Sequence, residues 1–79
     1  MRVTVLLFAS YAESLGANAL TLELPDGASV EDALSNVRAR AGNLLPPKPL
    51  VAVNQEYARI TDCLSAGDEL AIIPPVAGG

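Results

Sequence analysis

Two apolar runs at opposite ends of the chain constrain its fold more than any other feature. Residues 2 to 9, Arg-Val-Thr-Val-Leu-Leu-Phe-Ala, carry large apolar side chains on both strand parities, and so does Glu-Leu-Ala-Ile-Ile at 69 to 73. Successive side chains of a strand point to opposite faces of its sheet, so a run that is apolar on both parities needs cover on both. Each run is therefore expected in the middle of a sheet. Two central strands from the two ends of one chain are expected to lie side by side.

The intervening sequence fills in the rest. Residues 10 to 17, Ser-Tyr-Ala-Glu-Ser-Leu-Gly-Ala, allow a short helical turn that stops near Gly16. Leu20, Leu22 and Leu24 alternate with Thr21 and Glu23, the pattern of a strand with one wet face, and Pro25-Asp26-Gly27 supplies a turn. The first two strands, so closely connected, are expected to form an antiparallel hairpin. Ser29-Val30-Glu31-Asp32 has the form of a helix N-cap with acidic residues in the first turn. Val30, Ala33, Leu34, Val37 and Ala41 then define one apolar helix face, with Arg38 and Arg40 as solvated charges near the end and Gly42 as a stop. Pro46, Pro47 and Pro49 make 43 to 49 an irregular crossover. Leu50 to Asn54 reads as a strand, Asn54-Gln55-Glu56 as a turn with Asn54 left-handed, Tyr57 to Ile60 as a short return strand, and Leu64 to Asp68 as a turn before the last strand.

This order predicts an α+β fold of the β-grasp, or ubiquitin-like, type: a mixed sheet of four to five strands with one main helix packed on one face. Residues 1 to 79 form a single domain in this reading, with a tail at 74 to 79. One helix covers only one face of a sheet. Phe8, Leu70 and Ile72 are expected on the uncovered face, as an exposed apolar patch of the kind that marks a binding surface, with the reverse parity, which is apolar as well, the open alternative.

Composition narrows the function. The chain has no histidine, which excludes Ser-His-Asp and Cys-His catalysis and histidine-ligated metal, and no metal site is expected. Cys63 is the sole cysteine, so no internal disulfide or Cys-x-x-Cys motif exists. Net charge is -4, and the five basic residues are scattered, so nucleic acid is not an expected partner. No apolar run is long enough to span a bilayer and the first residues lack a secretory pattern, which predicts a cytoplasmic protein without membrane contact.

The end of the sequence has a chemistry of its own. Pro74 and Pro75 cannot donate to a sheet ladder, so they end the last strand and stiffen what leaves it. From Pro74 through Val76, Ala77 and Gly78 to Gly79, an extended chain reaches on the order of 20 Å, enough to carry a carboxylate into a partner's cleft. Gly78 and Gly79 lack a Cβ, so that backbone fits a narrow slot and leaves the carboxyl carbon open to attack.

Together, Val-Leu-Leu-Phe-Ala, Leu-Pro-Asp-Gly-Ala-Ser-Val, Val-Ala-Val-Asn-Gln and the closing Gly-Asp-Glu-Leu-Ala-Ile-Ile-Pro-Pro-Val-Ala-Gly-Gly resemble the small subunit of molybdopterin synthase. Where that family often carries Arg-Glu after the first strand, this chain reads Ala12-Glu13. The resemblance implies a sulfur carrier that is itself non-catalytic. Gly79 would be adenylated by a ubiquitin-activating-enzyme-like adenylyltransferase using ATP, then converted to a thiocarboxylate. It would pass its sulfur to cyclic pyranopterin monophosphate in the large synthase subunit, the two subunits forming a hetero-oligomer, a heterotetramer by resemblance. Phe8, Leu70, Ile72 and Pro74 to Gly78 would meet these partners, and no cofactor would be bound by this chain. A carrier for thiamin thiazole or another thiolation pathway, a ubiquitin-like conjugate, and an interaction module with an inert tail remain open alternatives.

Overall fold

The computed structural model describes residues 1–41, 45 and 49–74, the last helical residue by its backbone alone. Among the described residues seven elements follow in order: β1 (Arg2–Leu7), α1 (Ala9–Leu15), β2 (Ala19–Glu23), α2 (Val30–Ala41), β3 (Leu50–Val53), β4 (Glu56–Ala58) and β5 (Glu69–Ile73). The five strands form one sheet in the order β2-β1-β5-β3-β4. β1 and β5 are parallel neighbours in its middle, and the other pairs are antiparallel. This is the β-grasp arrangement expected from the two doubly apolar runs. The return strand is Glu56–Ala58, ending before Ile60.

A single core lies between the sheet and the helices. Val3, Val5 and Leu7 of β1 face Val30, Ala33, Leu34 and Val37 of α2, all of them buried. The helix forms because its apolar residues recur at one face and because its start is capped on both sides: Ser29 Oγ accepts from Asp32 N–H at 3.2 Å, and Asp32 Oδ2 accepts from Ser29 N–H at 2.9 Å. The 60–64 segment runs across this start, with Val30 N–H donating to Asp62 O at 2.9 Å and Leu64 N–H to Ala28 O at 2.8 Å. The short α1 seals one end of the core with Tyr11 and ends at Gly16, which is left-handed at φ 69.

The turns share a device. In Pro25–Ala28 and Ser65–Asp68 the fourth residue's N–H bonds the first carbonyl, at 3.1 and 3.0 Å, and the third residue is a glycine at φ 85. Asp62 Oδ2 and Asp68 Oδ2 each accept from the main-chain N–H three residues back, at Arg59 (3.0 Å) and Ser65 (2.7 Å). The Met1 α-amino group donates to Leu24 O, tying the start of the chain to the end of β2.

Leu70 and Ile72 are not on the uncovered face. Both are fully buried against α2, because β5 pairs in register with β1 and sets Leu70 beside Val5 and Ile72 beside Leu7. Arg2 and Thr4 show which parity of β1 faces outward, and Glu69 does the same for β5; Ala71 and Ile73 therefore take the outer face. The two strands bury opposite number parities, so Phe8 shares its face with Ala71 and Ile73.

Candidate functional site

Because β1 and β5 run parallel at the centre of the sheet, they end at the same rim. Phe8 follows one and Pro74 the other. Phe8 is 46% exposed and sits on the face away from α2. β3 runs antiparallel to β5 and brings Leu50 opposite Ile73 and Ala52 opposite Ala71; β4 adds Tyr57 opposite Ala52. A row Leu6, Ala71, Ala52, Tyr57 thus crosses four strands on the outer face.

The small side chains of Ala52 and Ala71 in the middle of that row leave a shallow groove of about 510 Å³. Phe8, Ile73 and Pro74 line it at the end where the chain leaves the sheet, and Gln55 and Tyr57 line it at the other. Leu50 and Tyr57, at 52% and 77% exposed, extend the apolar surface around it. Covering Phe8, Leu50 and Tyr57 with a partner would supply on the order of 3 to 5 kcal/mol.

The β3–β4 hairpin that carries Gln55 and Tyr57 is held at its base. Asn54 and Gln55 both have positive φ, 50 and 71, as a two-residue hairpin turn requires. The Asn54 side chain accepts from Glu69 N–H and donates to Asp68 Oδ1, each at 3.0 Å, while its own N–H donates to Glu69 O at 2.8 Å. The hairpin is thereby fixed to the start of β5. Apart from the Tyr57 phenol, the groove lining has no titratable group. Cys63 is exposed on the segment that bridges to Ser29.

Of the residues expected from sequence to meet partners, Phe8 and Pro74 come together at the groove, and Leu70 and Ile72 do not reach it. Pro75, Val76, Ala77, Gly78 and Gly79 lie outside the described residues. Ala52, Gln55, Tyr57, Ala71 and Ile73 were not anticipated. The polar partners of their parity, Arg2, Thr4 and Glu69, were the signal that would have found Ala71 and Ile73.

A profile of the ThiS family matches residues 5–79. The chain belongs to this family. Similar curated proteins are the molybdopterin synthase sulfur carrier subunits of Chlamydomonas reinhardtii, 45% identical over all of both chains, and of Homo sapiens, 34% identical over 99% of this chain and 94% of that one. Among solved structures, SAMP1 from Haloferax volcanii superposes with a TM-score of 0.86 at 31% identity, covering both chains completely. A putative molybdopterin converting factor subunit 1 from Pyrococcus furiosus gives 0.84 at 27%, covering 96% of this chain and 99% of that one. These findings bear out both the β-grasp fold and the resemblance drawn from the sequence. For this ThiS-family chain, full-length likeness to sulfur carrier subunits supports a sulfur-carrier role. Among the described residues no helix is long and apolar enough to cross a membrane.

Proposed function

We propose that this chain is the sulfur carrier of molybdopterin synthase, with the carboxyl carbon of Gly79 as its working atom. The observation that carries this reading is where the chain leaves the fold. The central strand β5 ends at Ile73, and Pro74, at the rim of an exposed apolar groove, leads toward the diglycine. A rigid sheet thus sets the starting point of the tail, and the groove offers a docking surface beside it.

The chemistry fixes an order of steps. A carboxylate repels nucleophiles and has no competent leaving group, so it must first be activated. A partner adenylyltransferase supplies that step: a Gly79 carboxylate oxygen attacks the α-phosphorus of ATP, pyrophosphate leaves, and a mixed anhydride with AMP forms. A sulfur donor then adds at the carbonyl carbon, the bond to AMP breaks, and a thiocarboxylate results. Its sulfur is the nucleophile that the large synthase subunit would direct at cyclic pyranopterin monophosphate. This chain contributes the acyl group and the docking surface. ATP and the acid-base groups belong to the partners.

The test is transfer. Wild-type carrier loaded with sulfur, mixed with the large subunit and cyclic pyranopterin monophosphate, should lose its sulfur as the dithiolene product appears. Retention of the sulfur in the presence of both would contradict the assignment.

A second reading is favoured by one relative. Small archaeal modifier protein 1 of Haloferax volcanii is 34% identical over 92% of this chain. Its name calls it a modifier protein; were this chain to modify proteins, a lysine amine would take the place of the sulfur donor and attack the same adenylate. Stable conjugates of higher mass, resistant to thiols and formed at the expense of transferable sulfur, would favour that reading.

A further inference from the structure

Among the described residues, three other than glycine have left-handed backbone: Ala9, Asn54 and Gln55. Such conformations persist in non-glycine residues only where the surroundings over-determine them, and they cluster at functional sites. All three border or support the groove. Ala9 follows Phe8, and Asn54 and Gln55 form the turn at the opposite end. Asn54 is accounted for structurally, since it tolerates this conformation and its amide clamps β5. Gln55 is not. At φ 71 the second position of a two-residue hairpin turn is most stably glycine, and glutamine has no special tolerance for it. Its residue lines the groove, and among the described residues its amide has no hydrogen-bond partner.

We propose that Gln55 is a specificity residue of the docking surface: its side-chain amide hydrogen-bonds a main-chain or amide group that the tail-receiving protein lays over the groove. This rests on the sulfur-carrier reading, and of the two proteins which that reading sends the tail into, the occupant proposed here is the large synthase subunit. The length of the tail argues that a protein which takes Gly79 also covers the groove. Five residues beyond Pro74 reach about 17 Å at most when extended, and the groove spans three strand spacings, about 14 Å. A cleft that takes Gly79 therefore belongs to a protein large enough, and close enough, to cover the groove. In an otherwise apolar contact, an amide with both a donor and an acceptor fixes register. A partner that leaves it unpaired is rejected, because a buried unsatisfied polar group is costly.

The test sets stability against binding. Purified wild-type chain, Gln55→Gly and Gln55→Met are each titrated calorimetrically into purified molybdopterin synthase large subunit, and their melting temperatures are recorded. Gln55→Gly should melt about 2 to 6 °C higher, because glycine relieves the left-handed backbone. It should also bind roughly 5- to 30-fold more weakly. Gln55→Met keeps the length and bulk and loses the amide, and should weaken binding by a similar factor with no gain in melting temperature. Wild-type binding with unchanged affinity in Gln55→Met would overturn the proposal and leave the sulfur-carrier reading intact. Absence of binding by the wild-type chain would overturn the reading and this proposal together.

Discussion

At the scale of single residues, the fold accepts local strain where it serves the outer surface. Ala9 sits at φ 49 directly after Phe8, turning the chain from β1 into α1 while leaving the Phe8 ring on the sheet's uncovered side. A left-handed alanine costs roughly 1 to 2 kcal/mol, part of which glycine would recover after its own entropy cost. Ala9→Gly is therefore expected to stabilise the protein by about 0.5 kcal/mol, and Ala9→Val to destabilise it by 1 kcal/mol or more, as measured by urea unfolding. A stabilising valine would show that the turn does not constrain this position. Little of this was legible beforehand. Asn54 announces a left-handed site because its side chain suits one, but alanine and glutamine carry no such mark, and their conformation follows from the turns that hold them.

At the scale of elements, the sequence was most explicit where pattern and end signals agreed. Val30 to Val37 repeat at helical spacing behind a capping box, and α2 begins where those signals place it. The two central strands were equally plain, since no other position satisfies apolar residues on both parities. Which parity faced the helix was harder, because Leu70-Ala71-Ile72-Ile73 offers apolar residues to either side. The pairing decides it: in-register contact with β1 carries Leu70 and Ile72 inward, and the outward parity is the one that also holds Glu69. Neighbouring residues of β5 should therefore respond oppositely to substitution. Ile72→Ala should cost about 2 to 5 kcal/mol in chemical denaturation. Ile73→Ser, at a partly buried position beside the groove, should cost less than Ile72→Ala while weakening binding to the large subunit. Equal stability losses at the two positions would contradict the assignment of faces.

At the scale of the whole molecule, the sheet is one continuous structure from edge to edge, and its central strand is the one from which the tail departs. That arrangement separates two tasks. In the proposed role the body supplies a recognisable face and Gly79 supplies the reacting carbonyl. The expectation of partners came from the resemblance to a sulfur carrier, carried above all by the closing Pro-Pro-Val-Ala-Gly-Gly. Of the proposed docking face only Phe8 and Pro74 were readable, because the rest comes from β3, β4 and the outward parity of β5 and comes together only once their register is set. Separation of tasks also predicts that deleting Gly79 leaves the melting temperature within about 2 °C of wild type.

The account turns on Gly79 as the acceptor of sulfur, and intact-mass spectrometry reads this directly. Incubated with the adenylyltransferase, ATP and a sulfur donor, the wild-type chain should gain about 16 Da, oxygen replaced by sulfur, and the chain lacking Gly79 should gain nothing. An unchanged wild-type mass, or equal gain by the shortened chain, would contradict it.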